Sequence, residues 1–304
     1  MLEQDWHRYC RQNGIEMDLP QFIEIFGARA AGDSVRIPRG LDRLFQSSAD
    51  AAHDPVKALV QRYRADTKTK LERKIFAQRK RLADAERTLL TKQTRKALEE
   101  RRIASSKVSL AMARLPLLSG NEPDEADWRI FPMGYAPVIV DHGGRRLVRL
   151  ARYHCRPASK PAAIDRQFPG LYNARRDNLE KFWGEHFGRH HAILLVESFY
   201  ENVQRDGANV VLHFQPRPVA TMFIACLYSE WVDPDDGTRL SSFAAITDEP
   251  PTEVAAAGHD RMIVNLRPEN VDAWLSPAGR TRRQLQALLD DRQAPYYEHE
   301  VLAA

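Results

Sequence analysis

The most regular pattern in the chain is a run without glycine or proline from Val56 to Arg114. Within it Leu71, Ile75, Leu82 and Leu89 fall on one stripe at helical or heptad spacing, and Arg79, Lys80, Arg81, Lys92, Arg95 and Lys96 crowd the remaining surface. Asp54-Pro55 stands in front, an N-cap residue followed by proline at the first helical position, so a long helix is predicted. An unbroken helix of about 60 residues would be roughly 90 Å long, against a radius of gyration of roughly 19 Å for a compact chain of this size. The segment must therefore protrude, fold back as a hairpin or wrap around the body, and Thr88 to Thr94 is the softest place for a break. Ahead of it, two short helices are predicted, Leu2 to Gln12 ending near Gly14 and Leu19 to Phe26 capped by Asp18 and ending near Gly27.

Beyond the long helix the period changes from helical to alternating. Residues 136–140 and 146–150 flank Asp141-His142-Gly143-Gly144, a hairpin signal. Further strands are predicted at His191 to Val196, Asn209 to Phe214, Thr221 to Trp231, Ser241 to Thr247 and Met262 to Leu266, with helices at Asn178 to Phe187, Pro268 to Leu275 and Thr281 to Arg292. The expected class is α+β, a mixed or antiparallel, barrel-like β core with helices around it. Residues 1–304 are expected to form one domain, with 55–114 as a basic helical insertion or hairpin and 120–277 as the β-rich core.

Charge sharpens this division. The chain of 304 residues carries only +4. The 56–114 stretch alone has 18 Lys and Arg against 6 Asp and Glu, a net +12, which leaves the remainder at −8. Such a surface is either a solvated helical face or one that tracks phosphates, since clustered cations gain affinity for nucleic acid by releasing counterions. No stretch approaches the roughly 18 apolar residues of a membrane span, and Leu2-Glu3-Gln4-Asp5 lacks the order of a signal peptide, so a cytoplasmic protein is expected. Cys10, Cys155 and Cys226 lie too far apart for a Cys-x-x-Cys pair or a disulfide framework.

Phosphate-binding and dinucleotide glycine motifs are absent, and no cofactor is expected. His186, His190 and His191 include an i, i+4 pair, but no third ligand follows at a metalloprotease spacing, so no metal is expected and surface histidines near a helix end explain the cluster. Three other strings each place a polar or ionisable residue at the end of an apolar segment: Tyr172-Asn173-Ala174-Arg175, Ser198-Phe199-Tyr200-Glu201-Asn202 and Gly258-His259-Asp260-Arg261-Met262. In this order, with Phe243 to Thr247 before the last and Val271-Asp272-Ala273-Trp274-Leu275 after it, they resemble the SOS response-associated peptidase (SRAP) family, in a branch with a long Lys/Arg-rich helical insertion.

The resemblance implies a DNA-damage function: recognition of abasic sites in single-stranded DNA and a protective DNA–protein cross-link. In the family a cysteine follows the initiator methionine, whose autocatalytic removal frees the α-amine and thiol for a Schiff base and then a thiazolidine. Carried onto the matching positions, Asn173, Glu201 and His259 are the catalytic residues, with Glu201 the general acid/base, His259 acting on the sugar oxygen and Asn173 orienting the nucleophile or the sugar. Arg175, Arg261 and, more weakly, Thr247 are implied DNA contacts; ion pairs with Asp177 and Asp260 are the structural alternative for the two arginines. Arg79, Lys80 and Arg81 are candidates on the basic helix. The resemblance further implies a cytoplasmic monomer, nucleoid-associated when bound to DNA, with peptidase and lyase-like chemistry. Position 2, however, is Leu2, so Met1 is read as an internal methionine with the true start upstream. The alternative is a non-catalytic single-stranded DNA-binding module that uses the basic helix, and as written the chain is expected to be inactive in cross-linking.

Overall fold

The computed structural model describes residues 9–119, 125–205 and 207–302. They divide into two compact units, the first from Met1–Phe22, Val35–Pro38 and Trp128–Ala304, the second from Ile23–Ser34 and Arg39–Asp127.

The first unit is built on strands β1 (Glu16–Met17), β2 (Tyr135–His142), β3 (Arg145–Tyr153), β4 (Asn173–Arg175), β5 (His191–Val196), β6 (Phe199–Arg205), β7 (Ala208–Arg217), β8 (Met222–Val232), β9 (Arg239–Asp248), β10 (Met262–Ile263), β11 (Asn265–Leu266) and β12 (Tyr296–Val301). Antiparallel pairing runs from β3 through β2, β5 and β8 to β9. β9 then returns to β3 in parallel, Arg152 opposite Ser242 and Tyr153 opposite Phe243, and closes five strands into a barrel. Alternate residues of these strands, among them Val138, Val140, Leu194, Ile224, Cys226 and Ala245, point into one core. Their neighbours Ile139, Ile193, Ala225, Leu227 and Ile246 are buried as well. Strands covered on both faces read as continuous apolar runs, which is why β5 and β8 stand out in the sequence. A second sheet, β6–β7–β12, adds Phe199, Val203, Leu212, Phe214 and Tyr297 to the same core. Trp274 is fully buried, stacked on His191 at 3.9 Å between ring centroids.

The second unit is helical: the part of α1 (Leu19–Ala31) from Ile23 onward, α2 (Arg39–Ser47), α3 (Asp54–Thr91) and α4 (Arg95–Ser119). Phe26 meets Phe45 edge-on at 5.4 Å, and Arg29 is ion-paired with Asp42 at 2.6 Å beneath solvent. The basic segment is a helical hairpin. Lys92 turns extended, with φ −151° and ψ 121°, and the Thr94 hydroxyl accepts from the Ala97 N–H at 3.2 Å to start α4. Leu71 and Ile75 pack on Ala111, and Ala97, Ala104 and Ala111 recur every seventh residue as buried positions. Small side chains at one heptad position let two antiparallel helices approach closely.

Several predicted elements change. The helix from Leu19 passes Gly27 and ends at Ala31, because Phe22, Phe26 and Ala30 bury one face at i, i+4, i+8 and this outweighs the roughly 1 kcal/mol cost of a mid-helix glycine. Its start agrees, Asp18 accepting from the Gln21 N–H at 3.3 Å. Residues 179–189 form a run of turns, not a helix; the Trp183 N–H reaches back to Asn178 and the Gly184 N–H only to Lys181, so no single register is kept. The strand expected at Met262 to Leu266 is split at Val264, whose N–H bonds Ile246 while its carbonyl accepts from Ala225. β6 and β12 and helix α2 were not anticipated. In β12 (Tyr-Tyr-Glu-His-Glu-Val) most residues are exposed, so no apolar alternation marks it. Of the helix expected at Leu2 to Gln12, residues 2–8 lie outside the described residues; 9–12 are helical and Asn13–Gly14 turn.

Candidate active site

β6 positions the acid. Phe199 and Val203 face the core, so the period of two puts Glu201 between them on the same face, at the margin of the buried region. The base arrives from a helix end. The short helix Thr252–Ala256 stops at Gly258, whose φ of +101° is left-handed and suits glycine, and the next residue is His259. Arg205 of β6 donates to the Ala257 carbonyl at 3.2 Å and ties this turn to the strand that bears Glu201.

His259 Nε2 lies 2.9 Å from Glu201 Oε2, with 17% and 22% of the two side chains exposed. The other ring nitrogen, Nδ1, is 2.7 Å from the Arg261 carbonyl, which can only accept. The longer 3.4 Å approach of the Arg261 N–H to the same nitrogen would need a lone pair there and is the weaker contact. Nδ1 therefore carries a proton, and the Nε2–Oε2 contact holds one more, on the imidazole as an ion pair or on the carboxyl as a neutral one. The Glu201 hydrogen bond raises the His259 pKa above the ordinary imidazole value, against partial burial, with help from the Arg261 carbonyl. A proton delivered to one site and withdrawn from the other is what acid–base catalysis requires.

Asn173 begins β4, which lies parallel to β9 with Asn173 opposite Ala245. The Tyr153 hydroxyl donates to Asn173 Oδ1 at 3.2 Å, so the amide's Nδ2–H donors are left for another partner. Tyr153 is stacked on Phe243 at 5.1 Å and meets Tyr172 edge-on at 5.6 Å. Burial, then the charges of Cys226, Glu201 and Tyr172, push the Tyr153 phenol up, so it remains a neutral donor. Glu201 and His259 are thus in direct contact, and Asn173 is bonded to Tyr153, whose phenol feels the Glu201 charge. Tyr153 ends β3 with no local signal, and only the barrel closure reveals it. Tyr200, the outward neighbour of Glu201, lies between the Arg129 guanidinium at 4.1 Å and the His213 ring at 4.7 Å, an arrangement equally silent in the sequence.

Arg175 is half-exposed and bonds Asp177 through Nε and Nη2 at 3.2 and 3.1 Å, and Arg261 bonds Asp260 at 3.3 Å. Thr247 is buried opposite Arg175 and Ile263, its hydroxyl without a hydrogen-bond partner among the described residues. Arg79, Lys80 and Arg81 belong to α3 in the helical unit, Arg79 against Met112 Sδ at 3.4 Å and Arg81 paired with Glu100. Position 2 lies outside the described residues. Cys10, Cys155 and Cys226 are buried, and burial pushes the Cys10 and Cys155 thiols up to about 12.

The histidines expected at the surface are mostly not there. His186 and His191 are buried, and His190 is exposed. His191 Nδ1 donates to the Trp274 carbonyl at 2.9 Å while Nε2 accepts from the Gly188 N–H at 2.9 Å. Burial pushes this imidazole down to about 3, so it is a neutral structural link. Among the described residues no group of three or more His, Cys, Asp or Glu is placed to hold a metal, and no helix is long and apolar enough to cross a membrane.

The chain is 28% identical over 165 residues to the abasic site processing protein YobE of Bacillus subtilis (strain 168), an alignment that covers 52% of this chain and 73% of that one. Among solved structures, a protein from Bacteroides thetaiotaomicron superimposes with a TM-score of 0.49 at 18% identity, over 58% of this chain and 76% of the other. One from Bordetella bronchiseptica gives 0.46 at 18%, over 57% and 86%. The family model described as SOS response associated peptidase (SRAP) matches residues 86–303, a span that includes Asn173, Glu201 and His259. The chain belongs to the SOS response associated peptidase family.

Proposed function

We propose that this protein processes abasic sites in single-stranded DNA, with Glu201 and His259 moving the protons of the reaction. The observation that carries the reading is their 2.9 Å contact beside an Nδ1 already committed to a carbonyl, in a chain of this family. An abasic site in its ring-opened form presents an aldehyde. A free α-amine adds to that carbon; the Glu201–His259 pair protonates the carbinolamine oxygen, which leaves as water, and an imine remains. A thiol on the same residue then adds to the imine carbon as its proton passes to nitrogen, and a thiazolidine closes. An α-amine with an unperturbed pKa of about 7.7–8 is partly neutral at pH 7 and can begin the sequence. Asn173, its Oδ1 engaged by Tyr153, orients the nucleophile or the sugar through its amide N–H groups.

Arg175 and Arg261 exchange their carboxylate partners for backbone phosphates. Both pairs are exposed, and such pairs contribute only about 0–1 kcal/mol, so the exchange costs little. Thr247 is the weakest of the proposed DNA contacts, because its hydroxyl is buried. Cys10, Cys155 and Cys226 are internal residues without a free α-amine, so the nucleophile is a cysteine exposed by removal of a preceding methionine, a cleavage assigned to the same acid–base pair. The alternative is binding without chemistry, through the basic helices.

The test uses the full chain with and without a Met-Cys extension before Leu2, an oligonucleotide with one abasic site, and a denaturing gel. A shifted band with the extension, lost in Glu201→Gln, supports the reading. No covalent product with the extension, alongside salt-sensitive retention of intact single strands, overturns it in favour of binding alone.

A further inference from the structure

The helical hairpin has two unlike faces, and helical spacing together with the side-chain pairs between its helices separates them. On one side Arg79 of α3 meets Met112 of α4. Helical spacing from Arg79, three residues back and eleven forward, puts Phe76 and Leu90 on that side of α3, and two seven-residue steps back from Met112 put Leu98 on that side of α4, all exposed. Its charges nearly cancel, Arg79, Arg95 and Arg102 against Glu72 and Glu86.

On the other side Arg81 pairs with Glu100. A hollow of about 510 Å³ opens there, with Lys80, Arg81 and Lys96 in its wall together with Thr88 and Thr94. The charges of Lys96 and Lys107 reach the Glu100 carboxylate and, after its Arg81 hydrogen bond, hold it below the usual range. Steps of seven carry the same face to Lys74 on α3 and to Arg114 on α4. Asp84 and Glu100 are its only acids along this stretch, and Lys74, Lys80, Lys96, Lys107 and Arg114 have no ion pair among the described residues.

The geometry points to this single face, formed by Lys74, Lys80, Arg81, Lys96, Lys107 and Arg114, as a docking surface for the phosphodiester backbone of duplex nucleic acid. Lys96 and Arg114 lie about 27 Å apart along α4, a length over which duplex DNA presents a charge about every 1.7 Å. The hollow at its centre is lined by no aromatic side chain on which an unpaired base could stack, so phosphate neutralisation is its main source of affinity, and that favours the denser charge of a duplex over a single strand. The inference deepens the alternative of a basic-helix binding surface and is independent of the lesion chemistry. It also moves Arg79, grouped with Lys80 and Arg81 by sequence proximity, to the other face.

The test compares two variants of the full chain that lose equal charge. Lys74→Gln/Lys107→Gln/Arg114→Gln strips the proposed face, and Arg79→Gln/Arg95→Gln/Arg102→Gln strips the opposite one. Binding to an intact duplex oligonucleotide, free of abasic sites, is followed by fluorescence anisotropy across a salt series, with far-UV circular dichroism to verify helicity. The first variant is expected to bind at least tenfold more weakly, its slope of log affinity against log salt reduced by roughly 0.9 for each phosphate that it no longer neutralises; the second should stay within about threefold of the parent. Equal weakening in both variants, or none in the first while its helicity is intact, overturns the assignment of the face. A single strand of the same length bound as tightly as the duplex overturns the preference for duplex. Cross-linking plays no part in either readout, so its failure would leave this result standing.

Discussion

In the β unit, ionisable groups are matched with opposite charges, whereas on the hairpin like charges are gathered. Glu201 faces His259, Arg175 faces Asp177 and Arg176 bridges Asp248 and Asp290. On the hairpin, Lys74, Lys80, Lys96, Lys107 and Arg114 have no carboxylate paired with them among the described residues. A carboxyl matched to an imidazole holds a proton that either can take and is suited to chemistry. An unmatched array is suited to a partner that brings the opposite charge. The two regions differ in what builds them, too: strand register between distant segments in the first, a seven-residue repeat within two adjacent helices in the second.

The largest test of that contrast is in the β unit. Trp274→Ala removes a fully buried ring whose Nε1–H donates to the Ala192 carbonyl at 3.2 Å, and should cost about 3–5 kcal/mol in denaturant unfolding. Glu201→Gln leaves a neutral, near-isosteric side chain opposite His259. In the extended chain it should slow cross-linking by about a hundredfold or more, the scale of lost general acid–base catalysis, read as the single-turnover rate on the denaturing gel. On the hairpin, Ala104→Leu forces a large side chain into a position with no exposure, and a loss of about 1–3 kcal/mol is expected, seen as an earlier helical melt.

A smaller, pH-dependent effect should mark the matched pair. Because Glu201 raises the His259 pKa in the fold, the pair adds stability that is present below the unfolded histidine value of about 6.5 and is lost as pH rises through the higher folded value. Melting midpoints of the parent and Glu201→Gln should therefore differ more at about pH 6 than at alkaline pH, converging once the pH has passed the folded His259 value. The smallest effect belongs to Glu99→Gln, which breaks an exposed pair with Arg102 and should leave the hairpin's melting midpoint unchanged.

How far each region could be read in advance follows the same division. The long basic helix, its break between Thr88 and Thr94 and the proline in its first turn were legible, because stripe and breaker are properties of neighbouring residues; the cap expected at Asp54 is not formed, since Asp54 is the first helical residue and His53 stands at the N-cap without a side-chain hydrogen bond. The continuous apolar strands β5 and β8 were legible for the same reason. β12 was not, since Glu298 and Glu300 hide it among charges and its pairing with β7 alone makes it a strand. Residues 179–189 carried helical composition, yet their tertiary surroundings settled them as turns. For the site, the strings around Asn173, Glu201 and His259 were visible only as a resemblance in order and spacing. Tyr153, which bonds Asn173, had no mark.

By itself the sequence determined the long basic helix and the continuous apolar strands, where charge accumulates and which short strings carry ionisable groups, because those patterns act over a few residues. Only the tertiary structure decided that Glu201 meets His259, that Tyr153 turns the Asn173 amide, and that Lys96 shares a face with Arg81 while Arg79 does not. Those contacts depend on barrel closure, on strand register and on the rotation of one helix against another. Each of these shifts a side chain to a new face for a displacement of a single residue.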